Sequence, residues 1–315
     1  MDISIVIPLL NESESLEELS LKIDSVMKEN SFNYEVIYVD DGSTDNSWEV
    51  IRNICDKNKS FKAIKFLKNY GKSQALHAGF NTANGKVVFT MDADLQDDPE
   101  EIPEIYDLII KKNLDLVSGW KKKRFDPVIT KNLPSKIFNL CARITSGIKL
   151  NDFNCGLKGY RKEVVKNINV YGEMHRYIPI LASNEGYNKI EEKIIKHRPR
   201  KYGKTKFGMN RFTHGFLDLI TIWFLSRFGK RPMHFFGAIG AIMLIIGFLF
   251  AVYLGVDKIY FNPNSRLITE KPEFFISLTT MILGSQFFVA GFIGEMITRN
   301  NQNKKYYNIE TVINS

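Results

Sequence analysis

Apolar and polar positions alternate along the first 120 residues in the order expected of successive strands and helices. Short apolar runs predict strands, and stretches with apolar residues at every third or fourth position predict helices. The predicted strands are residues 3–9, 34–39, 62–66, 87–90 and 114–119. The predicted helices are residues 14–27, a segment after Thr44, residues 71–81 and a segment after Pro99. This alternation indicates an α/β fold with a doubly wound, largely parallel sheet.

The pattern changes near the end of the chain, where two long segments carry no charged residue. These segments are residues 235–256 and 274–294. At 1.5 Å per residue, a helix of either length spans roughly the 30 Å hydrocarbon core of a bilayer. The sequence therefore predicts two transmembrane helices.

Basic residues flank this pair of apolar segments, and their positions predict its orientation. They precede the first segment and follow the second, at Arg227, Lys230, Arg231, Arg299, Lys304 and Lys305. Because cytoplasmic flanks are enriched in Lys and Arg, we expect a multi-pass protein of the cytoplasmic (inner) membrane with both termini in the cytoplasm. Residues 137–148 and 212–228 are compatible with core helices or with interfacial helices on the bilayer, and we favour the interfacial position for the second.

Composition alone hides this organisation, because the mean hydropathy of −0.17 is that of a soluble protein. The net charge of +8 admits nucleic acid, anionic lipid or phosphorylated substrates as partners. The basic residues adjoin the apolar segments and no nucleic-acid recognition motif accompanies them, so we expect membrane lipids and no nucleic acid. The three cysteines show no CxxC spacing, which argues against a disulfide framework or a zinc site.

The strongest chemical signal is the run Val87-Val88-Phe89-Thr90-Met91-Asp92-Ala93-Asp94-Leu95-Gln96. A buried parallel strand here would lead directly into two aspartates. In open α/β sheets, ligands bind at the carboxyl ends of the strands. Hard carboxylate oxygens at such an end suit Mg²⁺ or Mn²⁺ that shares its shell with a substrate diphosphate.

A second pair of acids, Asp40 and Asp41, follows the predicted strand 34–39. An Asx-type turn that closes the loop would account for them. Two acids at a strand end also suit a ligand site, and we favour that interpretation.

Three motifs carry a resemblance to a known family. They are Ile7-Pro8-Leu9-Leu10-Asn11-Glu12, Val39-Asp40-Asp41-Gly42-Ser43-Thr44-Asp45 and Met91-Asp92-Ala93-Asp94-Leu95-Gln96. Together they resemble the GT-A fold of family 2 glycosyltransferases, and more narrowly the polyprenyl-phosphate glycosyltransferases that include dolichyl-phosphate mannose synthase and undecaprenyl-phosphate glucosyltransferases. The resemblance covers nearly the whole chain, including both apolar segments.

The resemblance implies a GT-A catalytic domain followed by interfacial helices and two transmembrane helices. It implies nucleotide-binding roles for Pro8, Asn11, Glu12, Asp41 and Asp92. It also implies a Mg²⁺ or Mn²⁺ cofactor held by Asp92, Asp94 and Gln96, with Asp94 acting in catalysis.

Residues 151–161 are similar to the acceptor side of that family, and Asp152 lies where many glycosyltransferases place a catalytic base. A lipid monophosphate has a second pKa of about 6 and is already a nucleophile at neutral pH. Asp152 could therefore act as a base, orient Arg161 or another cation, or cap a turn. The residues implied to contact the acceptor phosphate are Arg124, Arg161, His175 and Arg176.

Residues 193–211 carry eight lysines and arginines and no acid. Within this stretch, residues 200–208 resemble the mobile loop that closes on the diphosphate in the family. Cations there, among them Arg200 and Lys206, would offset the charge of the leaving group and act in catalysis. A juxtamembrane patch that binds anionic lipid would also account for the charge.

We therefore expect a membrane-anchored, metal-dependent, inverting transferase that moves one sugar from a nucleotide-diphosphate sugar to a polyprenyl phosphate. The expected boundaries are 1–210 for the GT-A domain, 211–231 for a juxtamembrane helix, 232–298 for the anchor and 299–315 for a loosely ordered cytoplasmic tail. UDP-glucose or a related UDP-hexose is preferred as donor over GDP-mannose. A glycan acceptor or a non-catalytic scaffold remains an alternative, and a homo-oligomer is compatible with the sequence.

Overall fold

A computed structural model of the chain describes residues 1–122, 139–196 except 141, 145 and 173, then 198, 201, 224, 228, 231–300 and 309–313. The chain divides into two compact units. The first, called here the sheet unit, comprises Met1–Trp223 and Lys305–Ser315. The second, called the two-helix unit, comprises Phe224–Lys304.

The sheet unit is built on an eight-stranded sheet with the order β7-β5-β6-β4-β1-β2-β3-β8. The strands are β1 (Ile3–Leu9), β2 (Tyr34–Asp40), β3 (Phe61–Phe66), β4 (Val87–Thr90), β5 (Leu116–Trp120), β6 (Lys158–Arg161), β7 (Ile190–Ile194) and β8 (Ile309–Ile313). Strands β3, β2, β1 and β4 are mutually parallel neighbours. The predicted largely parallel α/β sheet is confirmed.

Helices connect these parallel strands, as the apolar periodicity predicts. They are α1 (Leu16–Glu29), α2 (Ser47–Lys57), α3 (Lys72–Thr82) and α4 (Ile102–Lys111), followed by the shorter α5 (Lys162–Asn167) and α6 (Ile178–Asn184). Every residue of β1 and β2 is buried. Because helices cover both faces of these strands, their sequences read as continuous apolar runs.

Strand β6 departs from the simple alternation, because it lies between β4 and β5 and runs antiparallel to both. Its register places Lys158 opposite Thr90 and Arg161 opposite Val87. The first residue of β6 is therefore at the carboxyl end of β4, and its last residue is at the amino end.

The C-terminal residues also depart from expectation. Residues 309–313 form β8, which pairs antiparallel with β3 at the edge of the sheet. Ile313 packs against the hydrophobic core of the sheet unit. The chain thus leaves the sheet unit, forms the two-helix unit and then returns to the sheet unit. The polar sequence of the tail did not predict this return.

The two-helix unit contains α7 (Pro232–Val256) and α8 (Pro272–Asn300). Two candidate spans, Pro232–Phe261 and Pro272–Ile297, are long and apolar enough to cross a membrane. Only 17% of the most apolar window of each is buried, which argues against ordinary core helices of a soluble protein.

The two helices approach each other closely along small residues. A Cβ on Gly240 would lie 2.6 Å from the carbonyl oxygen of Gly284, and Ser277 Oγ donates a 2.6 Å hydrogen bond to the carbonyl oxygen of Gly247. Small residues and interhelical hydrogen bonds are the usual means by which membrane helices pack. Phe224 and Phe228, both in the predicted juxtamembrane helix, have rings against Phe235. The rest of that helix lies largely outside the described residues.

Deletion of residues 309–315 should lower the unfolding free energy of the sheet unit by about 1–3 kcal/mol, because it removes a paired edge strand and the core contact of Ile313. The measurement is thermal unfolding of the detergent-solubilised full-length protein. The matched control deletes only residues 314–315 and should leave the midpoint unchanged. Equal midpoints for both truncations would contradict a stabilising role for β8.

Candidate active site

A cleft with a volume of about 280 Å³ opens at the carboxyl ends of β1, β2 and β4. Parallel strands end at the same edge of a sheet, so the residues that follow these three strands meet there. The cleft is lined by Pro8, Leu9, Leu10, Glu12, Asp41, Asn69, Gly71, Lys72, Asp92, Ala93 and Asp94. The structure therefore brings together five residues proposed from sequence: Pro8, Glu12, Asp41, Asp92 and Asp94.

The two acids that follow β2 differ in their surroundings. Asp40 Oδ1 accepts a 2.9 Å hydrogen bond from the backbone N–H of Ser43, which is the Asx-type turn. Asp41 lines the cleft and accepts hydrogen bonds from the backbone N–H groups of Tyr70 (2.7 Å) and Gly71 (2.9 Å). Burial raises the pKa of both carboxyls above the ordinary value. The Asx-type turn is thus present at Asp40, whereas Asp41 lines the cleft and its ligand-binding role stays a prediction.

Asn11 is not among the residues that line the cleft. Its backbone has a positive φ of 53°, and its side-chain oxygen accepts a 2.8 Å hydrogen bond from the backbone N–H of Thr44. Its own N–H donates to Ser43 Oγ at 2.9 Å. Asn11 therefore joins the loops that follow β1 and β2, and the structure places the neighbouring Glu12 in the cleft instead.

Asp92 is surrounded by lysines. Its Oδ1 lies 2.5 Å from the Nζ of Lys72. Burial alone would raise the pKa of Asp92, but the charges of Lys72 and Lys121 outweigh it and lower that pKa to about 2. Asp92 is therefore a carboxylate at any physiological pH.

Asp94 lies in the cleft and is only 9% exposed. Its Oδ1 accepts a 3.2 Å hydrogen bond from the backbone N–H of Gln96, and Leu95 between them has a positive φ of 62°. The Gln96 carbonyl in turn accepts a 3.0 Å hydrogen bond from the N–H of Arg198. This turn holds the carboxylate of Asp94 at the cleft wall.

The described residues include no group of three or more His, Cys, Asp or Glu side chains arranged to hold a metal ion. Two carboxylates, Asp92 and Asp94, do face one cleft. Mg²⁺ is commonly bound by one or two carboxylates with substrate phosphates and water. The donor set therefore fits a metal held jointly with a diphosphate and not a preformed protein cage.

A second, smaller cavity adjoins the cleft and shares Pro8, Lys72 and Asp92 with it. Lys158 and His175 line it from the other side. Burial lowers the pKa of Lys158. Burial, followed by the charge of Lys72, holds the pKa of His175 well below its ordinary value, so its imidazole is neutral at pH 7.

Asp152 is not among the residues that line this cavity. It is 1% exposed, and its Oδ1 accepts a 3.1 Å hydrogen bond from the backbone N–H of Asn154. This is the geometry of a turn cap, one of the three alternatives left by the sequence.

Arg161 corrects an expectation. The antiparallel register of β6 puts it opposite Val87, at the amino end of β4, whereas the two aspartates follow the carboxyl end. Its Nε donates a 2.8 Å hydrogen bond to the carbonyl of Leu114. The structure therefore places Arg161 at the opposite end of β4 from Asp92, and Arg161 is not among the residues that line the cleft or the smaller cavity.

Arg176 lies next to His175 in a short 3-10 segment, Met174–Tyr177, and its charge contributes to the lowered pKa of that histidine. Three other predicted residues, Arg124, Arg200 and Lys206, lie outside the described residues. Sequence reasoning missed Lys72 and Lys158 as site residues. Lys158 belongs to the acceptor-side motif, but only the antiparallel register of β6 shows that it, and not Arg161, reaches the site.

Comparison with known proteins agrees with this geometry. The sequence model of Glycosyl transferase family 2 matches residues 4–168, which is more than half of the chain. The chain belongs to this family. Among solved structures, glucosyl-3-phosphoglycerate synthase from Mycobacterium tuberculosis, in complex with Mn²⁺, uridine diphosphate and phosphoglyceric acid, matches with a TM-score of 0.56 at 18% identity. The match covers 72% of this chain and 78% of that chain, so the sheet unit has the GT-A fold.

Two curated relatives of the family match over nearly the whole chain. Dodecaprenyl-phosphate galacturonate synthase of Rhizobium johnstonii is 34% identical over 302 residues, covering 95% of this chain and 88% of the relative. Undecaprenyl-phosphate 4-deoxy-4-formamido-L-arabinose transferase of Yersinia pestis is 32% identical over 301 residues, covering 94% and 88%. The resemblance to polyprenyl-phosphate glycosyltransferases is confirmed.

Gly156 provides a test of the arrangement around Asp92. A Cβ at this position would lie 2.6 Å from Asp92 Oδ2 and 2.7 Å from Asp97 Oδ2. Gly156→Ala should displace the Asp92 carboxylate and weaken UDP binding in the presence of Mg²⁺ by about 10-fold or more. Isothermal titration calorimetry measures this affinity.

The matched control is Gly255→Ala, because a Cβ there meets nothing within 4 Å. It should leave UDP affinity unchanged. If Gly156→Ala binds UDP as tightly as Gly255→Ala, the close approach of Gly156 to Asp92 has no role in nucleotide binding.

Proposed function

We propose that this protein transfers a single sugar, with inversion, from a nucleotide-diphosphate sugar to a polyprenyl phosphate at the membrane surface. The observation that carries the proposal is the cleft in which Glu12, Asp41, Asp92 and Asp94 meet, in a chain that also contains two candidate spans. Two relatives that match nearly the whole chain are both named for a polyprenyl phosphate, which supports this acceptor class.

The donor would lie across the carboxyl ends of β1, β2 and β4. Pro8, Glu12 and Asp41 would face the base and ribose, and the diphosphate would lie at Asp92 and Asp94. A carboxylate such as Asp41 can accept hydrogen bonds from ribose hydroxyl groups. The raised pKa of Asp41 means that this interaction is lost at a less acidic pH than for an ordinary aspartate.

Mg²⁺ or Mn²⁺ would be held by Asp92 and Asp94, with Gln96 in support. Such an ion supplies Lewis-acid stabilisation of the leaving diphosphate. The protein's own contribution is to keep Asp92 ionised through the lysines around it, and to hold the Asp94 carboxylate at the cleft wall through its turn. Arg200 and Lys206 are proposed to add positive charge near the same leaving group.

In the reaction, an oxygen of the acceptor phosphate attacks the anomeric carbon, and the bond from that carbon to the nucleotide diphosphate breaks. The acceptor phosphate is largely ionised at neutral pH, since its second pKa is about 6. A general base is therefore unnecessary, which agrees with the absence of Asp152 from the residues that line the cavity. We propose a positioning role for Asp152 through the turn at Asn154.

The two candidate spans would keep the sheet unit beside the lipid-embedded acceptor. Met1–Trp223 precedes the two-helix unit along the chain and Lys305–Ser315 follows it, yet both segments belong to the same compact unit. A hairpin of two spans returns the chain to the side from which it left, which supports placing both termini on one side of the membrane, and the basic residues that flank the spans favour the cytoplasmic side.

For the donor, we propose a UDP-activated uronic acid or an N-acylated amino sugar. The names of the two relatives specify galacturonate and 4-deoxy-4-formamido-L-arabinose, and neither supports the glucose preferred from sequence. A panel that also contains UDP-glucose and GDP-mannose resolves this choice.

Asp94→Asn should retain the fold and reduce turnover by more than ~100-fold, the scale expected for loss of a principal electrostatic group. The measurement is transfer of radiolabelled sugar to undecaprenyl phosphate in liposomes, with product identified in the extracted lipid. EDTA should abolish transfer by the unsubstituted protein, and Mg²⁺ or Mn²⁺ should restore it.

The matched control is Asp107→Asn, which removes a half-exposed carboxylate paired with Lys111 on α4. It should transfer sugar at the original rate. Full activity of Asp94→Asn, or full activity in EDTA, would contradict the metal assignment. Labelled glycan without labelled lipid would contradict the polyprenyl phosphate acceptor.

A further inference from the structure

Lys158 is a buried cation that has no role in the reaction proposed above. It is 3% exposed, at the start of β6 and opposite Thr90 at the carboxyl end of β4. Its Nζ donates one hydrogen bond, to the carbonyl oxygen of Cys155. An ammonium has three donors, so this single bond leaves two of them for another acceptor.

No carboxylate of the described residues forms an ion pair with Lys158. Asp152 and Asp92 act on it only as nearby charges. Buried charges are normally paired and hydrogen-bonded, because desolvation of an unpaired charge is costly. A purely structural lysine would therefore be expected to have a carboxylate partner, as Lys121 has in Asp97 at 2.7 Å.

The side chain of Lys158 faces the small cavity and not a packed interior. This cavity has a volume of about 20 Å³, which is room for about one water molecule or for one oxygen atom of a ligand, and Lys72 and His175 also line it. Lys72 and Lys158 are cationic, His175 is neutral, and Asp92 contributes the anionic side chain of the lining. The balance of charge on the wall therefore favours a ligand with anionic oxygens.

The cavity also adjoins the proposed donor cleft. It shares Lys72 and Asp92 with the donor cleft, so a group in the cavity is adjacent to a diphosphate at Asp92 and Asp94. An in-line displacement requires the attacking oxygen to lie within about 3–3.5 Å of the reacting carbon. A nucleophilic oxygen held in this cavity would lie beside the part of the donor cleft that Lys72 and Asp92 line.

We propose that Lys158 and Lys72 form an oxyanion subsite beside the donor cleft, which binds an anionic oxygen group of a substrate. The proposal rests on the proposed function for the identity of that group. Two sources share this chemistry: the phosphate monoester of the acceptor, and the carboxylate of a uronic acid donor. The subsite takes the role expected from sequence for Arg161, which the register of β6 places at the other end of the strand.

The test compares Lys158→Met, which removes the charge, with Lys158→Arg, which keeps it. Each full-length variant is assayed in liposomes that contain undecaprenyl phosphate. Two kinds of donor are compared: a uronate donor, either UDP-glucuronate or UDP-galacturonate, and a neutral UDP-hexose. The matched control is Lys86→Met, an exposed lysine just before the amino end of β4. UDP affinity, measured by calorimetry, reports whether the donor side of each variant is folded.

If the acceptor phosphate occupies the subsite, Lys158→Met should lose about 30-fold or more in kcat/KM for the lipid with every donor used, with UDP affinity retained. If the uronate carboxylate occupies it, the loss should be confined to uronate donors. In both cases Lys158→Arg should recover much of the activity, and Lys86→Met should match the unsubstituted protein. Equal kinetics for Lys158→Met and Lys86→Met with all donors would overturn the proposal.

Binding of inorganic phosphate gives a second measurement that requires no turnover. Phosphate should bind to the UDP-loaded, full-length protein, and Lys158→Met should abolish that binding while Lys158→Arg retains it. Phosphate binding that depends on Lys158, in a protein that transfers no sugar to lipid, would support the subsite and contradict the proposed function. If the protein glycosylates the lipid normally but phosphate binding does not depend on Lys158, the subsite is contradicted and the proposed function is not.

Discussion

The parallel pairing of β1 with β2 on one side and β4 on the other is the constraint on which the site depends. In this register Leu9 lies opposite Asp40, and Val6 lies opposite Thr90. The three strands therefore end at one edge, and the acids that follow them converge on one cleft. All residues of β1 and β2 are buried in this register, because helices cover both faces of these strands.

Convergence of acids at one edge creates an electrostatic cost that lysines offset. Lys72 pairs with Asp92, and Lys121 pairs with the buried Asp97. Asp98 is similarly paired with Arg198 at 2.6 Å. Like charges close together would otherwise raise one another's pKa values and favour protonation. The cations keep Asp92 ionised, and Lys158 remains as the buried cation without an ion-pair partner among the described residues.

The sequence was sufficient for much of this site, because its main features depend on local patterns. The run from Val87 to Asp94 predicts a buried strand that ends in two acids, and the same reasoning places Asp41 after β2. Strand β6 could not be predicted in this way, since its pairing joins residues about 70 positions apart. Its direction decides that Lys158, and not Arg161, reaches the site, although both belong to one four-residue strand. Strand β8 likewise pairs with a strand that is distant in sequence, β3. The polar sequence around residues 309–313 did not indicate a strand there.

The central claim is that the cleft at the ends of β1, β2 and β4 binds the nucleotide diphosphate together with a metal ion. The most direct measurement is an experimental structure of the full-length protein with UDP and Mn²⁺, with the metal located by its anomalous scattering. The account predicts a Mn²⁺ peak within coordination distance of the carboxylates of Asp92 or Asp94, with the uridine beside Asp41. UDP bound outside this cleft, or Mn²⁺ bound without contact to either aspartate, would contradict it.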